Sequence, residues 1–158
     1  MTTKSDFTEE EWNRVRRAPL VAGLAVSLAD PGGPIEAAKE SMATLKSATN
    51  PPSREQLLSE VALDIQQMAQ QRENPVKGFK PEGPNPGEGV LEELRGVVAI
   101  VAAKASPEEL AAFGTWLVAA AQAAADAAKD GGFMGFHAVR VSDREQAMID
   151  SVKAAVSA

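Results

Sequence analysis

Apolar residues recur along this chain at three- and four-residue spacing, in stretches bounded by prolines, glycines and capping residues, and that rhythm predicts helices. Thr8 and Glu11 form a Thr-x-x-Glu capping box, with Phe7 placed to staple onto Trp12. The helix they open meets Pro19, which is expected to end or kink it near Ala18. Beyond the proline, Leu20 to Ala29 is apolar on all sides and is expected to be buried. Asp30-Pro-Gly-Gly-Pro stops that run, and Pro34 opens a second helix whose Ile35, Ala38, Met42 and Leu45 form an inward stripe. After Asn50-Pro-Pro, Ser53 and Gln56 read as another capping box. Leu57, Leu58, Val61, Ile65, Met68 and Ala69 then make the cleanest amphipathic stripe in the chain, with Glu60, Asp64, Gln67 and Gln71 mostly off it.

Residues 74–89 carry four prolines and four glycines among mostly polar neighbours and read as a long loop joining two halves, 8–73 and 90–157. In the second half, Val90–Ala105 turns Leu91, Leu94, Val97, Val98 and Val101 inward. It is followed almost directly by Ser106–Lys129, which predicts an antiparallel hairpin. This last helix begins with a Ser106/Glu109 capping box and Pro107 at its first position. It is apolar or alanine on nearly every face, the signature of a helix inside a bundle. Asp130-Gly-Gly ends it, and Ser142 with Glu145 caps a final helix burying Met148, Val152, Ala155 and Val156. No alternating run is long enough for a sheet strand, and His137–Val141 reads at most as one extended stretch. The expected fold class is all-α: a single domain over 1–158, a bundle of six to seven helices around the Ala-rich Ser106–Lys129.

Composition narrows what such a bundle does. Apolar residues are 44% and charged residues 24% of 158, a balance that supports a packed core. Aromatics are only 4%, so alanine carries much of the interior and helix backbones can approach closely. The net charge of −6 and pI near 4.9 argue against non-specific nucleic-acid binding, which needs clustered Lys and Arg. The one basic group, Arg14, Arg16 and Arg17, follows Glu9–Glu11 and reads as dipole complement and i,i+3/i+4 pairing, with docking of an acidic partner as the alternative. There are no cysteines, which removes disulfides, thiolate catalysis and the usual structural zinc sites. The start of the chain lacks the apolar core of a signal peptide, and Val97–Ala103 and Leu110–Ala121 are too short or too alanine-rich to predict a transmembrane span, so a cytoplasmic protein is expected.

Catalytic patterns are missing from the residues. His137 is the only histidine and no Glu-x-x-His pair exists, so multi-histidine metal sites are out. His137 reads as a structural hydrogen-bonder in a Gly/Phe-rich turn. Gly131–Gly135 follows a helix and lacks Gly-Lys-Ser/Thr, so it fails as a P-loop and as a dinucleotide fingerprint. Glu36 and Glu40 share a helical face and, with Asp30, could bind a hard cation, or could serve helix-start electrostatics. Binding candidates are the large apolar groups in turns: Phe79 between Lys77 and Lys80, and Phe133, Phe136 and His137 in the last turn. Each either folds back on the core or is offered to a partner.

The run Ala29-Asp30-Pro-Gly-Gly-Pro-Ile, followed by a helix with Glu40, resembles the Ala-Asp-Gly turn and later glutamate of tellurite-resistance TerB-like helical domains. Asp130-Gly-Gly and Val141-Ser-Asp-Arg-Glu echo it in the second half. Pro31 stands where that family usually has glycine. The resemblance implies divalent-cation binding by Asp30 and Glu36 and a stress-linked or membrane-associated accessory role without a known catalytic reaction. No cofactor is expected. The expectation is a non-enzymatic cytoplasmic binding or accessory protein, acting through a protein partner or as a homo-oligomer, with a small-ligand or divalent-cation-binding helical protein as the alternative.

Overall fold

The computed structural model describes residues 2–81, 83–129 and 141–157, with the side chains of residues 128 and 129 left out. A short 3-10 turn at Lys4–Asp6 precedes six α-helices: α1 (Glu9–Ala29), α2 (Pro34–Ala48), α3 (Gln56–Gln70), α4 (Pro86–Ala102), α5 (Pro107–Lys129) and α6 (Asp143–Val156). The described residues contain no strand, and the fold is an all-α bundle.

Three of the capping boxes form as the sequence predicts. Thr8 Oγ1 accepts from the Glu11 amide at 3.1 Å, Ser106 Oγ from Glu109 at 3.2 Å and Ser142 Oγ from Glu145 at 3.1 Å. The Phe7 and Trp12 rings lie 5.7 Å apart, completing the staple. The fourth does not form. The third helix starts at Gln56 with Glu55 at its N-cap and no side-chain cap, leaving Ser53 Oγ buried without a partner.

Pro19 does not end the first helix. It costs the helix an amide donor, a penalty of about 3 kcal/mol in an exposed helix. Here Pro19 sits in the buried run Ala18–Gly23, and packing on every side outweighs that cost, so α1 continues unbroken to Ala29. Both α1 and α5 touch all the other α-helices. The centre of the fold is therefore shared between them. The expected α4–α5 hairpin is absent: despite the short connection, α4 packs on α1 and α6 and meets α5 little.

The core runs from Phe113, Trp116 and Leu117 in α5, through Val15, Val21 and Val26 of α1, to Leu57, Leu58 and Ile65 of α3 and Leu94 of α4, all at most 1% exposed. Two indoles tie helices together: Trp116 Nε1–H donates to the Ser47 carbonyl at 2.8 Å and Trp12 Nε1–H to Asp64 Oδ2 at 2.7 Å. At the start of α5, Glu109 is buried and collects the Thr2 amide (3.0 Å), the Thr2 hydroxyl and the Ser106 amide (3.2 Å). Burial alone would raise its pKa. These hydrogen bonds outweigh burial and hold it below the ordinary carboxylate value, so Glu109 anchors the segment before α1 as an ionised acceptor.

By length and composition alone, Pro107–Ala127 could cross a membrane, but 44% of its most apolar window is buried inside the bundle. That burial is what a core helix requires.

The crossing of α1 and α2 depends on Gly23. A Cβ there would land inside the Thr44 side chain, whose branched Cβ cannot swing away. Gly23→Ala is expected to lower stability by about 1–3 kcal/mol in denaturant unfolding, despite alanine's better helix propensity. Adding Thr44→Ala should recover most of the loss. A Gly23→Ala protein as stable as the parent would show that the two helices can part freely.

Candidate functional site

The second helix is rotated relative to the sequence expectation. Its stripe of Ile35, Ala38 and Met42 faces solvent, with Ile35 74% and Met42 72% exposed, and only Leu45 packs partly on the core. The face turned inward carries Glu40, Thr44 and Ala48. The reason is the close crossing at Gly23, which admits a threonine but has no room for methionine or isoleucine. Residues 31–39 are all exposed, so the first half of α2 stands off the bundle. Met42 and Leu45 also edge an open groove of about 510 Å³ against Ala69 of α3.

Glu40 is the buried carboxylate of this region, 2% exposed, and accepts a hydrogen bond from the Ser27 hydroxyl of α1. Burial pushes its pKa above the ordinary value. The Ser27 bond opposes this, and the charges of Glu145, Glu36 and Asp30 add to the rise. Of the two expected cation ligands, Asp30 caps the end of α1 and Glu36 lies exposed in the first turn of α2, against Gly32. Among the described residues, no three His, Asp or Glu side chains are placed to hold a metal ion.

Phe79 folds back partly on the core, with the Arg17 guanidinium 5.8 Å above its ring. Gly78, at φ +88°, allows the loop to pass close to Arg17, and the Lys77 carbonyl accepts from Arg17 Nη1 at 3.5 Å. The arginine cluster serves neither i,i+3/i+4 pairs nor a free patch. Arg14 makes a two-pronged pair with Glu93 of α4 at 2.9 and 3.3 Å, Arg17 lies 3.8 Å from the same carboxylate, and Arg16 is 3.9 Å from Asp64 of α3. Glu11 turns instead to Lys104, at 2.8 Å. Phe133, Phe136 and His137 lie outside the described residues.

A second concavity lies between α1 and α2 under the loop that joins α3 to α4, which is shorter at its far end than the expected 74–89 because α4 already starts at Pro86. It holds about 270 Å³, walled by Leu20, Leu24 and Leu45 and roofed by Pro75 and Val76. Sequence reasoning missed both this cleft and the outward α2 face. The local pattern gave no signal of either, because Glu40 falls on the side of α2 opposite the apolar stripe, where a carboxylate is ordinarily in water.

No protein-family model, curated protein or solved structure matches the chain. The class that stands is the one the fold defines, an all-α helical bundle.

Glu40 makes stability depend on pH in a defined sense. Its folded pKa is raised, so the fold holds the proton more tightly than the unfolded chain does; its contribution is complete below the unfolded value near 4.5 and is lost as pH rises through the folded value. Glu40→Gln keeps an acceptor for Ser27 and removes the charge. The melting-temperature gain of Glu40→Gln over the parent should therefore be smallest in acid and grow toward neutral pH. A gain that does not change with pH would rule out burial of the charged form as its cause.

Proposed function

We propose that this chain is a non-enzymatic binding protein that acts by self-association through the outward face of α2. The observation that carries the reading is the exposure of Ile35 and Met42, two large apolar side chains one heptad apart on a helix whose first half stands clear of the bundle. Isolated apolar residues on a surface are ordinary, whereas a helical stripe of them is the pattern by which helices recognise helices.

A second copy of the same helix is the occupant that fits best. The helix carries Glu36 at its N-terminal end and Lys46 at its C-terminal end, both exposed. An antiparallel α2–α2 pair sets each acidic end beside a basic one and buries the Ile35–Met42 stripe on both sides of a two-fold axis. One helix face lies at the small end of stable interfaces, ~1,200 Å² in total, so association in the micromolar range is expected. The resemblance to TerB-like domains in the Ala29–Ile35 turn points the same way, toward an accessory role.

Sedimentation equilibrium tests this. The parent chain should form a dimer at about 100 μM, a concentration well above a micromolar Kd. Ile35→Glu with Met42→Glu should weaken the dimer by about a hundredfold or more, because each copy then buries unpaired charge. Circular dichroism should be unchanged, since neither side chain supports the core. A parent chain that stays monomeric throughout would overturn the proposal.

A further inference from the structure

The α1–α2 cleft has a donor–acceptor inventory that selects a ligand class. Three hydroxyl residues line it, Ser27, Ser41 and Thr44. A hydroxyl has one proton to give. That of Ser27 goes to the Glu40 carboxylate, and that of Thr44, a residue only 4% exposed, goes to the Glu40 carbonyl at 2.8 Å. With those protons committed, both oxygens present only lone pairs to the cleft. Behind them stands the buried Glu40 carboxylate, with Asp30, Glu36 and Glu145 close enough to act on its charge. No charged side chain lines the cleft itself. The corner at Ser27 and Thr44 is therefore acceptor-rich and electronegative; Ser41 and Asn74 are the other polar residues of the lining, and the rest of the wall is hydrocarbon and backbone.

We propose that this cleft binds a small apolar amine, its ammonium on the Ser27 and Thr44 hydroxyl oxygens and its hydrocarbon part among Leu20, Leu24 and Leu45. An ammonium brings three donors and a positive charge, which this corner accepts. A carboxylate brings neither and is repelled, and a plain hydrocarbon leaves the oxygens dry and unpaired. The volume, about 270 Å³, is just under the ~300–1,000 Å³ usual for drug-sized ligands, so the ligand is a molecule of about the size of a single ring with a short side arm. The site is separate from the outward face of α2, and its occupancy does not require the dimer.

The test is an amide chemical-shift titration at neutral pH with three probes of one shape: benzylamine, benzyl alcohol and benzoate. Benzylamine is expected to give saturable shifts at Gly23, Ser27, Thr44 and Val76, binding about tenfold more tightly than benzyl alcohol, as charge-assisted hydrogen bonds should. Benzoate should leave these amides unmoved. Glu40→Gln should bring benzylamine down to the level of benzyl alcohol while benzyl alcohol itself is unaffected. The dispersion of the same spectra reports whether the variant is folded, and Ser27→Ala, which removes one acceptor, should reduce the preference independently. Equal binding of benzoate and benzylamine would overturn the proposal. So would the absence of saturable shifts in the cleft up to about 20 mM amine, or an undiminished amine preference in folded Glu40→Gln.

Discussion

Close approach of α1, α2 and α5 is the constraint on which the rest of this structure depends. The second half of α5 buries Ala120, Ala121, Ala124 and Ala125, and α1 offers Ala18, Ala22, Gly23 and Ala25. Small side chains bring helix axes near one another and leave little freedom in how the partner helix is turned. The large groups that fill the remaining volume, Phe113, Trp116 and Leu117, lie in the first half of α5. There Trp116 also binds the last turn of α2 through the Ser47 carbonyl. The fold thus combines a tightly approached alanine region with a more conventional aromatic and aliphatic one.

That geometry has a consequence for α2. Only a narrow face can enter the crossing with α1, and the residues meeting that demand are Thr44 and Ala48, with Glu40 carried in beside them. The isoleucine and methionine of the same helix are left in water. A buried carboxylate opposite an exposed apolar stripe runs against the preference of each group, and both costs are borne by one helix of fifteen residues. Local conflicts of this kind mark regions where something other than monomer stability has shaped the chain. Here they coincide with both the outward stripe and the cleft behind Ser27.

The electrostatic ties follow the same logic of distance over sequence. Arg14 and Arg17 converge on Glu93, and Arg16 and Lys4 on Asp64, so the basic group in the first half of α1 and the turn before it are joined to α4 and α3 by pairs that are distant in sequence. These pairs are partly exposed and add modestly to stability. Their larger effect is to set where the Pro/Gly loop lies, since Arg17 also holds the Lys77 carbonyl and the Phe79 ring.

Helix class, most helix limits and most of the core were legible from residue order alone. Capping boxes, proline breaks and three- to four-residue periodicity act within a few residues, and the stripes of α3 and α4 point inward as their spacing implies. What the order of residues left open were the properties set by neighbours far along the chain. Pro19 passes through an unbroken helix because burial on all sides outweighs a local penalty. The pairing of α4 with α1 and α6, instead of α5, is a matter of which surfaces fit. The rotation of α2 is the clearest case: its periodicity identified the apolar stripe correctly, but which face turned inward was decided by the space beside Gly23, and only tertiary packing sets that space.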